Sequence, residues 1–212
     1  MIKRLILEEQ NFYEFKGRKF YYKKQGNTLI FDNIDVLDMN LKSLKELPWS
    51  DYDYIVKNDF SCDNNNLTTL QGSPIKVEGY FTCSYNNLTS LQYSPKEVNG
   101  NFNCYKNNLT SLKGSPKEVK GSFNCYNNNL TTLQGSPIKV NGNFDCDNNN
   151  LTTLQGSPIK VGGYFSCDIN NLTTLQGSPK EVNGNFYCYN NRVKFTIDDV
   201  EKVCNVKGII EV

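Results

Sequence analysis

The chain reads as an all-β-type solenoid: a coil of short, stacked parallel strands joined by non-helical returns and capped at both ends. Three observations predict this. Phenylalanine recurs at Phe60, Phe81, Phe102, Phe123, Phe144, Phe165 and Phe186, with cysteine two places later from Cys62 to Cys188, at a constant step of 21 residues. A fixed period in this range marks a repeat whose units bury their apolar faces only by stacking on neighbours. The F-x-C segment alternates as a strand with one buried face does, and no segment of the unit is long enough for an ordinary helix.

The unit Tyr80–Gly100 shows the assignments. Phe81 and Cys83 point inward, while Tyr80, Thr82 and Ser84 point outward. Leu88 and Leu91 turn inward on a three-residue spacing, and Val98 is the fifth inward apolar position. The Gly-Ser-Pro turn of most units sends the chain back, because proline fixes its own φ and holds the preceding residue extended. The return is therefore expected to be extended or a short 3₁₀ turn. Asparagine follows each strand at Asn65, Asn86, Asn107, Asn128, Asn149, Asn170 and Asn191. A turn there leaves backbone groups without ladder partners, and an inward amide both donates and accepts. The column reads as a structural ladder.

In chain order, residues 1–33 differ in composition. Seven Lys/Arg stand against four Asp/Glu, interleaved with Phe12, Tyr13, Phe15, Phe20, Tyr21 and Tyr22. Lys16-Gly17-Arg18 and Gln25-Gly26-Asn27 read as turns between short strands, so this segment is expected to be a hairpin cap. Residues 34–59 hide a degenerate first repeat. Ile34 and Val36 take the Phe and Cys places, Leu41 and Leu44 the leucine places, and Pro48 the proline place. Its return carries about five extra residues in the stretch WSDYDYIV, where Trp49, Tyr52 and Tyr54 either pack over the first turn or form a contact site. Seven repeats follow over residues 60–191. Residues 192–212 form the second cap, with an N-capped short helix from Thr196 and a closing strand from Gly208. Eight parallel strand rungs are expected, from Ile34–Val36 to Phe186–Cys188.

With its preceding strand, the segment N-x-L-T-x-L resembles the leucine-rich repeat family, whose pattern is L-x-x-L-x-L-x-x-N-x-L. Phe81 and Cys83 stand at two strand leucines, Asn86 at the family asparagine and Leu88 at the next leucine. The short period without a return helix is similar to the short repeats of bacterial and viral leucine-rich proteins. Phe, Cys and the Gly-Ser-Pro return depart from that pattern. The resemblance covers roughly Ile34–Lys194. It implies a right-handed coil and a protein-binding scaffold that uses the strand face, and it names no partner.

Several chemistries are disfavoured. The chain has no histidine, so the commonest general base and metal ligand is missing, and no Walker, Rossmann or zinc-finger spacing occurs. The net charge of +1 gives no global case for nucleic acid. No apolar run approaches a membrane span, and Met1–Gln10, cut short by Glu8 and Glu9, does not read as a secretory signal. The cysteine column invites a metal or disulfide. Its odd count, and the poor dihedral available between parallel inward side chains, favour buried free thiols and a reducing compartment. The repeated Asn-Leu-Thr sequons then read as by-products of the repeat.

The outward strand positions carry the functional expectation, on the premise that packing leaves them free. Tyr, Ser, Asn and Asp dominate there, without Lys or Arg, which is paratope-like chemistry. The candidate protein-binding residues are Tyr80, Thr82, Tyr85, Asn103, Tyr105, Tyr126, Asp145, Asp147, Tyr164, Asp168, Tyr187 and Tyr189. No cofactor is expected. Asp145, Asp147 and Asp168 also suggest a carbohydrate-acting β-helix enzyme or part of a calcium site, and the basic N-terminal segment suggests a nucleic-acid binder. The leading expectation is a non-catalytic cytoplasmic scaffold that binds another protein. The Asn/Lys/Ile-rich composition suggests a viral or bacterial source, where such a module would inhibit a host factor.

Overall fold

The computed structural model describes residues 11–212; Met1–Gln10, with its expectation about secretion, lies outside them. Each repeat supplies two short strands rather than one. The Phe-x pairs from Phe60–Ser61 to Phe186–Tyr187 lie in a nine-stranded parallel sheet, with Ile34–Asp35 at one edge and Ile210–Glu211 at the other. Register runs repeat on repeat, as in Phe81↔Phe102 and Thr82↔Asn103. The closing strand thus adds a ninth rung to the eight expected. The returns build a second, eleven-stranded sheet from pairs such as Lys76–Val77 and Glu97–Val98. The one 3₁₀ turn among the described residues is Leu44–Glu46, in the degenerate first repeat.

The two sheets enclose one continuous core. Phe81, Cys83, Leu88, Leu91 and Val98 are buried, as are their counterparts in every full repeat. Phenylalanine rings stack along the axis, with Phe102 and Phe123 centroids 5.1 Å apart at 11°. At about 1.5–3 kcal/mol per buried side chain, this column drives the stacking. All eight cysteines are free and buried. Each thiol of the column from Cys62 to Cys167 donates to a carbonyl of the next rung, as Cys146 Sγ does to Ser166 O at 3.1 Å. Burial holds these thiols well above their ordinary pKa.

The asparagine column closes the turn. Asn128 Oδ1 accepts from Leu109 N at 3.1 Å, and its Nδ2 donates to Cys104 O at 3.1 Å and Cys125 O at 3.0 Å. One side chain thereby joins two rungs and satisfies three buried backbone groups. The preceding residue is left-handed in every repeat: Asn64, Tyr85, Lys106, Asn127, Asn148, Ile169 and Asn190 have φ between 50° and 55°. Asparagine tolerates this region; tyrosine and, above all, β-branched isoleucine do not. The Gly-Ser-Pro turn has the same demand. Gly114 has φ 101°, and a Cβ there would overlap the Leu91 carbonyl of the rung below. Tyr93 holds the equivalent place at φ 69°.

The N-terminal end is closed by an antiparallel hairpin, β1 (Asn11–Phe15) and β2 (Arg18–Gln25), continued by β3 (Thr28–Phe31). Parallel pairing of β3 with Tyr54–Val56 joins this cap to the return sheet. Trp49, from the inserted segment, is buried against Phe20 (4.8 Å), Phe31 (5.1 Å) and Tyr13 (5.7 Å). Tyr54 is buried with its hydroxyl on Gly72 O at 2.7 Å, whereas Tyr52 is exposed. Two of the three aromatics of the insertion therefore pack. Arg18 and Lys16 reach across to donate to Asp35 O and Met39 O at the edge of the first rung. At the other end the helix Ile197–Glu201 starts at Thr196, in a capping box with Asp199, and buries Val200. Among the described residues, no helix is long and apolar enough to cross a membrane.

Candidate functional site

The outward face of the nine-stranded sheet has three columns, set before Phe, between Phe and Cys, and after Cys. The premise that packing leaves this face free needs correction. A coil of short strands exposes backbone N–H groups where the ladder stops, and polar outward side chains accept from them. In the first column Asp59 Oδ1 accepts from Tyr80 N at 2.8 Å, Asn101 Oδ1 from Ser122 N at 2.8 Å and Asn143 Oδ1 from Tyr164 N at 3.0 Å. In the third column Asp63 Oδ1 accepts from Ser84 N at 2.6 Å, Asp147 Oδ1 from Asp168 N at 2.7 Å and Asp168 Oδ1 from Tyr189 N at 2.8 Å. These acids and amides staple rung to rung at Phe60/Phe81, Phe102/Phe123, Phe144/Phe165 and Phe165/Phe186.

Burial follows from this. Ser84, assigned outward, is fully covered, and Asp168, a candidate contact residue, is buried at 4% exposure. Asp168 is therefore a structural acid rather than a contact residue. Asp147 is half-buried, with Ser166 Oγ also on its Oδ1 at 2.6 Å. Thr82 is half-buried and its hydroxyl lies on Asp63 at 2.6 Å. Asn103 Oδ1 accepts from Asn124 Nδ2 at 2.7 Å.

The tyrosines form two groups. Tyr105 and Tyr126 stack with centroids 4.5 Å apart at 7°, and Tyr85 meets Tyr105 edge-on at 5.5 Å. Lys106 Nζ lies 4.6 Å from the Tyr85 ring centroid and 3.0 Å from its hydroxyl. Further along, Tyr164 and Tyr187 meet edge-on at 5.9 Å, and Asn185 Nδ2 donates to Tyr187 Oη at 2.7 Å. Tyr80 and Tyr189 are exposed and lie outside both stacks. Tyr85 is on the surface too, but it projects from the left-handed turn position and not from a strand.

Asp145 sits between the two groups. Burial first, then the Asp147 carboxylate, pushes its pKa up to about 7. Asp147 N donates to Asp145 Oδ1 at 3.1 Å. Burial, then Asp147, raises Asp168 to about 6, and burial raises Asp147 itself. None of the three has a cation within 4.0 Å among the described residues; the salt bridges lie on the returns and caps, as Lys160–Glu181 does at 2.9 Å, apart from Arg18–Asp35, which joins the cap to the first rung. Among the described residues, no group of three or more acidic, Cys or His side chains is placed to hold a metal ion.

Asp63, Ser84, Lys106 and Leu37 also shape this face and were not among the candidates. Asp63 occupies the same column as Asp147 and Asp168, which was the available signal; nothing in sequence shows Ser84 to be covered. Comparison with protein-family models, with curated proteins and with solved structures finds no match.

Proposed function

We propose that this chain is a non-catalytic scaffold that binds another protein through the outward face of its nine-stranded sheet. One observation carries the reading: Tyr105 and Tyr126 are held parallel at 4.5 Å on adjacent rungs, half-exposed, with Tyr85 braced against them. Tyrosine rings ordered before contact lose little conformational entropy on binding, and such anchors dominate interface energies. The resemblance to leucine-rich repeats supports the same reading. Eight buried free thiols favour a reducing compartment, hence the cytoplasm, and a small rigid module there suits inhibition of a host factor by a viral or bacterial protein.

A carbohydrate-acting reading draws on one observation, the Asp145 carboxyl poised at about 7. Against it, Asp147 and Asp168 are committed to backbone N–H groups. Release of reducing ends from a polysaccharide panel, lost in Asp145→Asn, would favour it over the scaffold.

The test of the scaffold is differential capture from host lysate. Tyr105→Ala with Tyr126→Ala should abolish capture while leaving the far-UV spectrum unchanged, since each truncated anchor costs about 2 kcal/mol or more. The return-side pair Lys117→Ala with Lys139→Ala should leave capture intact. If the lysine pair abolishes it and the tyrosine pair does not, the working surface is the other sheet.

A further inference from the structure

At the N-terminal end of the same face, Leu37, Asp63, Asn64 and Tyr85 bound a groove of about 260 Å³. Its walls are of two kinds. Leu37 and the Tyr85 ring are exposed apolar surface. Asp63 is a carboxylate with no cation within 4.0 Å among the described residues. Its Oδ1 accepts from Ser84 N, and the single Thr82 hydroxyl lies 2.6–2.7 Å from both oxygens. That leaves lone pairs on Oδ2 without a donor. Two more acids stand beside the groove: Asp38, which accepts from Asn64 Nδ2, and Asp35, which pairs with Arg18 at 3.6 Å. The Tyr85 ring already carries one cation, Lys106.

We infer that this groove receives one basic side chain of the protein partner, its aliphatic stem against Leu37 and the Tyr85 ring and its cationic head at the Asp63 carboxylate. The inference rests on the scaffold reading, and it names what the partner presents. Stem and head match the two kinds of wall, since basic side chains lay their methylenes on apolar surface and keep the charge at a polar tip. The carboxylates of Asp63 and Asp38, neither of which has a cation within 4.0 Å among the described residues, select against an acidic side chain. The groove also adjoins the tyrosine stack through the Tyr85–Tyr105 contact at 5.5 Å. A partner seated on that stack reaches it without a second docking surface.

The experiment needs no partner, so its result is separable from that of the capture assay. N-acetyl-arginine amide is titrated into the protein at pH 8, well above the ordinary carboxylate range, and followed by amide NMR shifts. The neutral isostere N-acetyl-citrulline amide is the control. Expected is saturable binding in the millimolar range with shifts at Asp63, Asn64 and Tyr85, and binding of the citrulline compound at least ~10-fold weaker. Asp63→Asn, which keeps an acceptor for Ser84 N and Thr82, should weaken arginine binding at least ~10-fold, and Asp145→Asn should not. Leu37→Trp, a change on exposed surface, should fill the groove and abolish binding. Equal binding of both compounds, unchanged affinity in Asp63→Asn, loss in Asp145→Asn alone, or no saturation up to tens of millimolar would each overturn the assignment. If arginine binds as expected and the tyrosine pair still fails to affect capture, the groove stands and the tyrosine anchor falls.

Discussion

Replacing Asp145 by asparagine should make the protein more stable at pH 8 and leave it unchanged near pH 4. The Asp145 carboxyl is raised to about 7 in the folded chain, by burial and then by the Asp147 charge, against about 3.9 when unfolded. The folded state therefore binds the proton more tightly than the unfolded state. The stability this lends is fully present below about pH 4 and is lost as pH rises towards 7. Three pKa units correspond to a ceiling of ~4 kcal/mol at 1.36 kcal/mol per unit. Partial exposure and sharing of the repulsion with Asp147 reduce this to about 2 kcal/mol. Asparagine is isosteric and keeps an oxygen acceptor for Asp147 N, now at 3.1 Å, while removing the titration. The assay is urea unfolding followed by circular dichroism for both proteins at pH 4, 6 and 8. The variant should gain about 2 kcal/mol at pH 8, less at pH 6 and nothing at pH 4. A variant less stable than the parent at pH 8, or a difference independent of pH, would show that Asp145 is not a desolvated acid and would remove the electrostatic picture of this face.

Other consequences follow from named contacts. Asn128→Ala leaves Leu109 N without its acceptor, while Cys104 O and Cys125 O lose one donor each and keep Asn107 Nδ2 and Asn149 Nδ2; with about 1–3 kcal/mol for the one orphaned buried N–H and about 0.5–1.5 kcal/mol for each of the two other lost bonds, urea unfolding should register a loss of ~2–6 kcal/mol, and a loss below ~1 kcal/mol would mean that water replaces the amide. Ile169→Asn relieves a left-handed β-branched residue whose side chain is exposed, and should stabilise by about 1 kcal/mol in the same assay; Tyr93→Gly should act likewise in its turn. Asp147→Lys with Asp168→Lys, by removing acceptors from two backbone N–H groups, should lower the thermal midpoint and so is unsuited to testing charge in binding. Thiol titration should find the cysteines unreactive in the native protein and all eight reactive in denaturant without reductant; accessible native thiols would mean that the column does not face the core.

The constant spacing of Phe60 to Phe186, Leu67 to Leu172 and Asn65 to Asn191 was enough to assign the rung, its inward residues and the asparagine ladder. The reason is local: alternation decides which side of a strand is buried, and a repeat that cannot bury its face alone must stack. The hairpin at Lys16-Gly17 and the capped helix after Thr196 were legible from turn and capping chemistry close in sequence. Other features depend on what lies one coil away. Strands of two residues such as Glu97–Val98 show no periodicity of their own, so the second sheet appears only when neighbouring returns align. Whether an outward polar residue is free depends on whether the N–H of the next rung, 21 positions on, has a ladder partner. Asp147, Asp168 and Asn101 looked like available surface and are committed to that backbone. Ser84 is covered because of where Asp63 and Tyr105 of the next rung lie, and the raised pKa of Asp145 arises from burial beneath neighbouring rungs and then from Asp147. Pattern along the chain settles which side faces the core; stagger between coils, a tertiary quantity, settles which groups remain to meet a partner.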